Sequence, residues 1–128
     1  MAYYLETSTF LKLVVDEAES EAMRLWFHEG NDCWSSHLLS TEAFRAAARL
    51  RVSSDAARRV LDAVSLVLPA ESTFREAGPI APTALRSLDA LHVASALEMG
   101  TDLEAIVTHD PRVIECANAA GSRFLTPV

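Results

Sequence analysis

Four carboxylates are the residues of this sequence best placed to do chemistry: Glu6, Glu42, Asp89 and Asp110. Glu6 closes a short apolar run, Ala2–Leu5, and three hydroxyl residues, Thr7, Ser8 and Thr9, follow it at once. Asp110 comes just after a second strand-like run, residues 104–108, while Glu42 and Asp89 sit near the starts of stretches with helical periodicity. In an open α/β sheet, ligands gather at the carboxyl ends of strands. Acids collected there repel and raise one another's pKa values unless a cation is present. An oxygen-only set of this kind suits Mg²⁺ or Mn²⁺ better than zinc. Such ions activate water and hold a phosphodiester for in-line attack. Thr7, Ser8 and Thr108 add hydroxyls that could orient the water.

Each acid also has a plain structural explanation. Acidic side chains in a first helical turn gain roughly 0.3–1 kcal/mol from the helix dipole. Asp110-Pro111 matches an N-cap followed by proline at the first helical position. Asp89 lies two residues after a candidate cap, Ser87, and Glu42 two after Ser40. The case for chemistry is collective: helix N-termini that follow parallel strands open onto one edge of the sheet. Glu6 and Asp110 follow the two clearest strands, and Glu42 and Asp89 could flank them.

Other polar residues are open to two readings. Arg86, Asp89 and His92 share a helix face by i, i+3 spacing, so His92 either orients a carboxylate or is a satisfied, half-buried histidine. His109, beside Asp110, is equally unspecific. Trp26 and Trp34 lie in apolar-patterned stretches and read as core. Arg45, Arg49, Arg51, Arg58 and Arg59 form either a solvated face or a grip on phosphates or an acidic partner.

The elements that must position these residues follow from periodicity and punctuation. Strands are expected at Ala2–Leu5, 32–35, 67–69, 104–108 and 123–125. Helices are expected over 10–15, around Ala18–Trp26 with a stop at Gly30-Asn31, over 41–51, and from a Ser53-Ser54-Asp55 cap through Val64. The last two should form a hairpin joined at 52–54. A helical turn at 73–77 precedes the loop Gly78–Pro82. Ser87 is expected to cap a helix to about Met99, and Asp110-Pro111 to start one through about Ala120. Strands alternating with helices imply βα units, and hence an α/β fold with a mostly parallel sheet covered on both faces.

Composition sets the outer limits. A chain of 128 residues fits a single domain (1–128) able to bury a real core, and 50% hydrophobic with 23% charged residues is ordinary globular composition. No basic-then-apolar leader is visible, and no apolar run reaches the ~20 residues of a membrane span, so a cytoplasmic location is expected. Cys33 and Cys116 lack any metal-binding spacing and read as reduced core thiols. The net charge of −7 argues against a general nucleic-acid coat protein. Lys12 is the single lysine among eleven basic residues, however, and the arginines cluster between 45 and 59.

Taken together, Tyr4-Leu5-Glu6-Thr7-Ser8, Ser40-Thr41-Glu42, the block Leu85-Arg86-Ser87-Leu88-Asp89-Ala90-Leu91-His92-Val93-Ala94, and Val107-Thr108-His109-Asp110 resemble the PIN-domain nucleases. More narrowly, they resemble the VapC-type toxins of bacterial toxin–antitoxin pairs. The resemblance runs over essentially the whole chain, to the closing Ala-Gly-x-x-Phe-Leu-x-Pro. It implies a PIN-like three-layer α/β/α fold and a Mg²⁺- or Mn²⁺-dependent endoribonuclease. It also implies a cognate antitoxin that presents basic residues to the acidic site, with 10–15 and Leu25-Trp26 as apolar contacts, and a homodimer, assembled further with antitoxin. By position, the site acids are Glu6, Glu42, Asp89 and Asp110, with Glu6, Asp89 and Asp110 on the metal and Ser8 and Thr108 in support. Arg45, Arg49 and Arg86 are expected to contact RNA. The family usually has aspartate where this chain has Glu6. Two rival readings are a receiver-like phosphoacceptor, which lacks the lysine it needs near the pocket, and an inactive PIN-like module that docks a basic peptide.

Overall fold

A computed structural model describes residues 1–128. Five strands, β1 (Ala2–Leu5), β2 (Asp32–Ser36), β3 (Ser65–Val67), β4 (Leu103–Val107) and β5 (Phe124–Leu125), form one sheet in the order β3-β2-β1-β4-β5. Every neighbouring pair is parallel. Parallel neighbours need crossover connections, and seven helices supply them: α1 (Thr7–Val14), α2 (Ser20–His28), α3 (Leu38–Leu50), α4 (Ser54–Asp62), α5 (Glu71–Ala77), α6 (Ser87–Leu97) and α7 (Pro111–Ala119).

The sheet is covered on both faces, because successive strand residues point to opposite sides. Tyr4 and Ile106 join the core built with Val93, Ala94, Val113 and Ala117 of α6 and α7. Their neighbours Leu5 and Val107 join the core built with Leu13 and Met23 of α1 and α2. A third group, Phe10, Leu39, Ala43 and Leu61, fastens the α3–α4 hairpin to α1. The chain is therefore the three-layer α/β/α expected from its pattern. Both cysteines are free and buried, and burial pushes both thiols up, that of Cys33 to about 12.

Several boundaries differ from the sequence expectation, each for a local reason. Helix α3 begins at Leu38 rather than 41, because the Ser36 hydroxyl accepts the Leu38 N–H and lets the helix start early. Glu42 therefore lies in the second turn, where the dipole explanation no longer applies. Strand β3 runs over Ser65–Val67, not 67–69; Pro69 has no N–H to give to a ladder. Helix α1 is capped by Glu6 itself rather than by Thr7 or Ser8. Arg86, not Ser87, is the N-cap of α6, without a side-chain cap. Helix α2 starts at Ser20 after Glu19 takes a left-handed conformation (φ 66°), and α5 starts two residues earlier than expected. Lys12 secures the turn between α1 and α2: its ammonium reaches the Ala18 carbonyl (2.8 Å) and the Glu19 carboxylate (3.1 Å).

Candidate active site

The carboxyl ends of β1 and β4 lie side by side at the centre of the sheet, with Leu5 paired to Val107. The chain turns directly from each strand into a helix, which brings Glu6 and Asp110 to the same edge. Glu6 is 3% exposed and accepts three hydrogen bonds: from the Ser8 N–H (3.2 Å), the Ser8 hydroxyl (2.5 Å) and the Thr108 hydroxyl (2.8 Å). These bonds favour the ionised form, but burial outweighs them and leaves the Glu6 carboxyl above its usual range. Thr108 also accepts the Asp110 N–H (3.1 Å), and Ser8 accepts the His109 N–H (3.1 Å). Ser8 and Thr108 are thus the hydroxyls that join the two strand ends.

Asp110 caps α7, its carboxylate accepting the Arg112 N–H at 2.9 Å. Asp89 stands in the first turn of α6 and makes none of the side-chain hydrogen bonds that hold the other three acids. Burial first and the nearby Asp110 charge second push its carboxyl up, with Glu42 adding to the effect. Glu42 arrives from α3 and accepts the Thr7 hydroxyl (3.0 Å) and His92 Nε2 (2.5 Å) on one oxygen, Oε1.

The four expected acids therefore meet at one edge, in two hydrogen-bonded groups. One is Glu6 with Ser8, Thr108 and the Asp110 turn; the other is Glu42 with Thr7 and His92. Asp89 feels the charge of both Asp110 and Glu42. No three His, Cys, Asp or Glu side chains close on a single point as a ready-made metal shell. The donors are nevertheless all hard oxygens, so the chemistry of the set fits Mg²⁺ or Mn²⁺.

Two histidines proved more committed than their sequence context indicated. His92 is 1% exposed, not half-buried, and its second ring nitrogen meets the Tyr4 hydroxyl at 2.7 Å. His109 clamps the C-terminal segment: Thr9 Oγ1 lies 2.8 Å from Nδ1 and the Pro127 carbonyl 2.8 Å from Nε2. Nothing local marks Tyr4 or Thr9 as polar partners, since both bonds join residues some 90–100 positions apart. Trp34 is only partly core; its indole nitrogen is buried without a partner and the ring lines a cavity of about 270 Å³ at the opposite edge of the sheet. Arg45, Arg49 and Arg86 are exposed, the first two on the Glu42 face of α3 by i+3 and i+7 spacing. Of the apolar residues expected to meet a partner, Phe10 and Leu13 are buried in the fold, whereas Leu25 is 64% exposed.

A family model described as "PIN domain" matches residues 3–118. The chain is similar to ribonuclease VapC46 of Mycobacterium tuberculosis, at 35% identity over 127 residues that cover 98% of each chain. It is also similar to ribonuclease VapC47 of that species, at 33% identity over 130 residues covering 97% of this chain and 96% of the relative. Ribonuclease VapC35 is 36% identical over 134 residues, with the same coverage of both chains.

Proposed function

Because the chain belongs to the PIN-domain family, and within it to the VapC-type proteins, we propose that it is a Mg²⁺- or Mn²⁺-dependent endoribonuclease acting as the toxin of a type II toxin–antitoxin pair. One observation carries the reading beyond family membership: the Thr108 hydroxyl joins Glu6 to the Asp110 turn at one strand edge, and Thr7, the residue after Glu6, ties Glu42 to the same place. An oxygen-only donor set gathered at a strand edge suits a hard divalent cation.

Glu6, Asp89 and Asp110 would hold the ion, and Ser8 and Thr108 would fix the Glu6 carboxylate beside it. When bound, the ion supplies Lewis-acid stabilisation of the phosphate and lowers the pKa of an attacking water. Glu42 orients that water or takes its proton. Arg45, Arg49 and Arg86 hold backbone phosphates on the rim, as point contacts without sequence readout. The partner that silences the site is a cognate antitoxin offering a basic segment to these acids, and the assembly is a homodimer, extended when antitoxin binds. No helix is long and apolar enough to cross a membrane, and an RNA substrate fits action in the cytoplasm.

Asp89→Asn tests the assignment. It should abolish Mg²⁺-dependent cleavage of RNA and growth arrest on expression while leaving the circular-dichroism spectrum unchanged. Cleavage at the parental rate by this variant would remove Asp89 from the site.

A further inference from the structure

We propose that His92 is a positioning residue that sets the orientation of the Glu42 carboxylate, through the hydrogen-bond relay Tyr4–His92–Glu42. The inference rests on the ribonuclease reading above for its functional consequence, and on geometry for the relay itself. The three residues come from three elements, β1, α6 and α3, and the relay is the polar link among them. Tyr4 is fully buried and His92 1% exposed, so no water competes for either ring. Tyr4 Oη lies 2.7 Å from Nδ1 and Glu42 Oε1 2.5 Å from Nε2.

The direction of the relay follows from donor and acceptor chemistry. A carboxylate oxygen accepts, so Nε2 carries the hydrogen at the Glu42 end, while Nδ1 faces the Tyr4 hydroxyl at the other. The ring plane is fixed by an edge contact with Tyr4, centroids 5.8 Å apart and planes at 66°. Thr7 donates to the same oxygen of Glu42 at 3.0 Å, from the residue that follows Glu6. Both donors end on Oε1. Oε2 is thereby left as the oxygen that meets water or RNA, on a side chain that remains 19% exposed. Glu42 gets no such restraint from its own helix, where it lies past the first turn.

A histidine that merely cements the fold and one that aims Glu42 differ in what their loss does to kinetics. The test compares His92→Leu, His92→Gln, Glu42→Gln and the double variant His92→Leu/Glu42→Gln on the full chain, with a short single-stranded RNA and Mn²⁺. His92→Leu should lower kcat by roughly tenfold to a hundredfold with KM nearly unchanged, the size of a misplaced catalytic group. His92→Gln, whose amide can donate where Nε2–H did, should recover much of the rate. The double variant should be no slower than Glu42→Gln alone, since His92 acts through Glu42. Losses that multiply in the double variant overturn the proposal.

A second readout needs no activity. In ¹⁵N spectra of the metal-free protein, Nε2 of His92 should carry a hydrogen, and Tyr4→Phe should shift its Nδ1 resonance. An Nε2 that carries no hydrogen overturns the relay. Should His92→Leu fail to fold, His92→Gln and the Tyr4→Phe spectrum decide the matter. A parent protein that cleaves no RNA with either metal removes the ribonuclease reading, and the spectrum then judges the relay alone.

Discussion

Glu6 accepts hydrogen bonds from two hydroxyls at the adjacent carboxyl ends of two strands, Ser8 after β1 and Thr108 after β4. The consequence is a carboxyl that three donors cannot fully compensate for burial, and its folded pKa is raised. A raised folded pKa means that the folded state binds the proton more tightly than the unfolded chain. Stability from that proton is complete below the ordinary glutamate value of 4.5 and is lost as pH rises toward the folded pKa. Glu6→Gln removes the loss. It should therefore melt higher than the parent at neutral pH, with the gap closing as pH falls toward 4.5, while RNA cleavage disappears. Glu6→Asp should keep cleavage, because the cap to Ser8 survives the shorter arm. A Glu6→Gln protein that cleaves normally would make Glu6 a cap and nothing more. Glu6, Asp110 and their hydroxyls were legible in the sequence because each sits where a strand pattern turns into a helix pattern. His92 was half legible, through its i+3 spacing from Asp89, but its burial and its tie to Glu42 were not. Those depend on which residues of β1 and α3 lie opposite, and no local periodicity encodes that.

At the level of elements, the strands and helices appeared in their expected order, and the misplacements cluster where a side chain outside the pattern intervenes. Ser36 draws the start of α3 forward, and Pro69 ends β3 early. Arg51 is the most exposed of these departures. It closes α3 in the left-handed region (φ 56°), where a side chain with a Cβ is strained and glycine is not. Arg51→Gly should raise stability by about 0.5–1 kcal/mol, measured by urea denaturation with an unchanged slope. A destabilised variant would mean that Arg51 is held by contacts stronger than its strain. Glu19 is strained in the same way (φ 66°), but its carboxylate holds Lys12, so the same substitution there should not stabilise.

Across the whole molecule, charge is sorted rather than spread. Arg24, Arg75, Arg112 and Arg123 each face an acid within 4 Å, whereas Arg86 and the run Arg45, Arg49, Arg51, Arg58 and Arg59 form no such pair. A chain with a net charge of −7 can meet a polyanion only through such a patch. RNA affinity should therefore fall as salt rises, and Arg45→Ala or Arg49→Ala should each flatten the log–log dependence by about 0.7, one single-strand phosphate contact. An unchanged slope would remove that arginine from the RNA path. The overall layering was readable from alternation alone, since a buried parallel sheet needs apolar runs bounded by helices. The convergence of the acids was readable only as a consequence of that layering.

The sheet order has a further consequence, in time rather than in space. β1 is synthesised first yet becomes the central strand, and its neighbour β4 emerges only after about a hundred residues. Glu6 waits on Thr108, 102 positions later, and Tyr4 waits on His92. A nascent chain that has not yet exposed β4 outside the ribosome has no site, because half of its hydroxyl frame and Asp110 are missing. The site is complete only when translation is nearly finished.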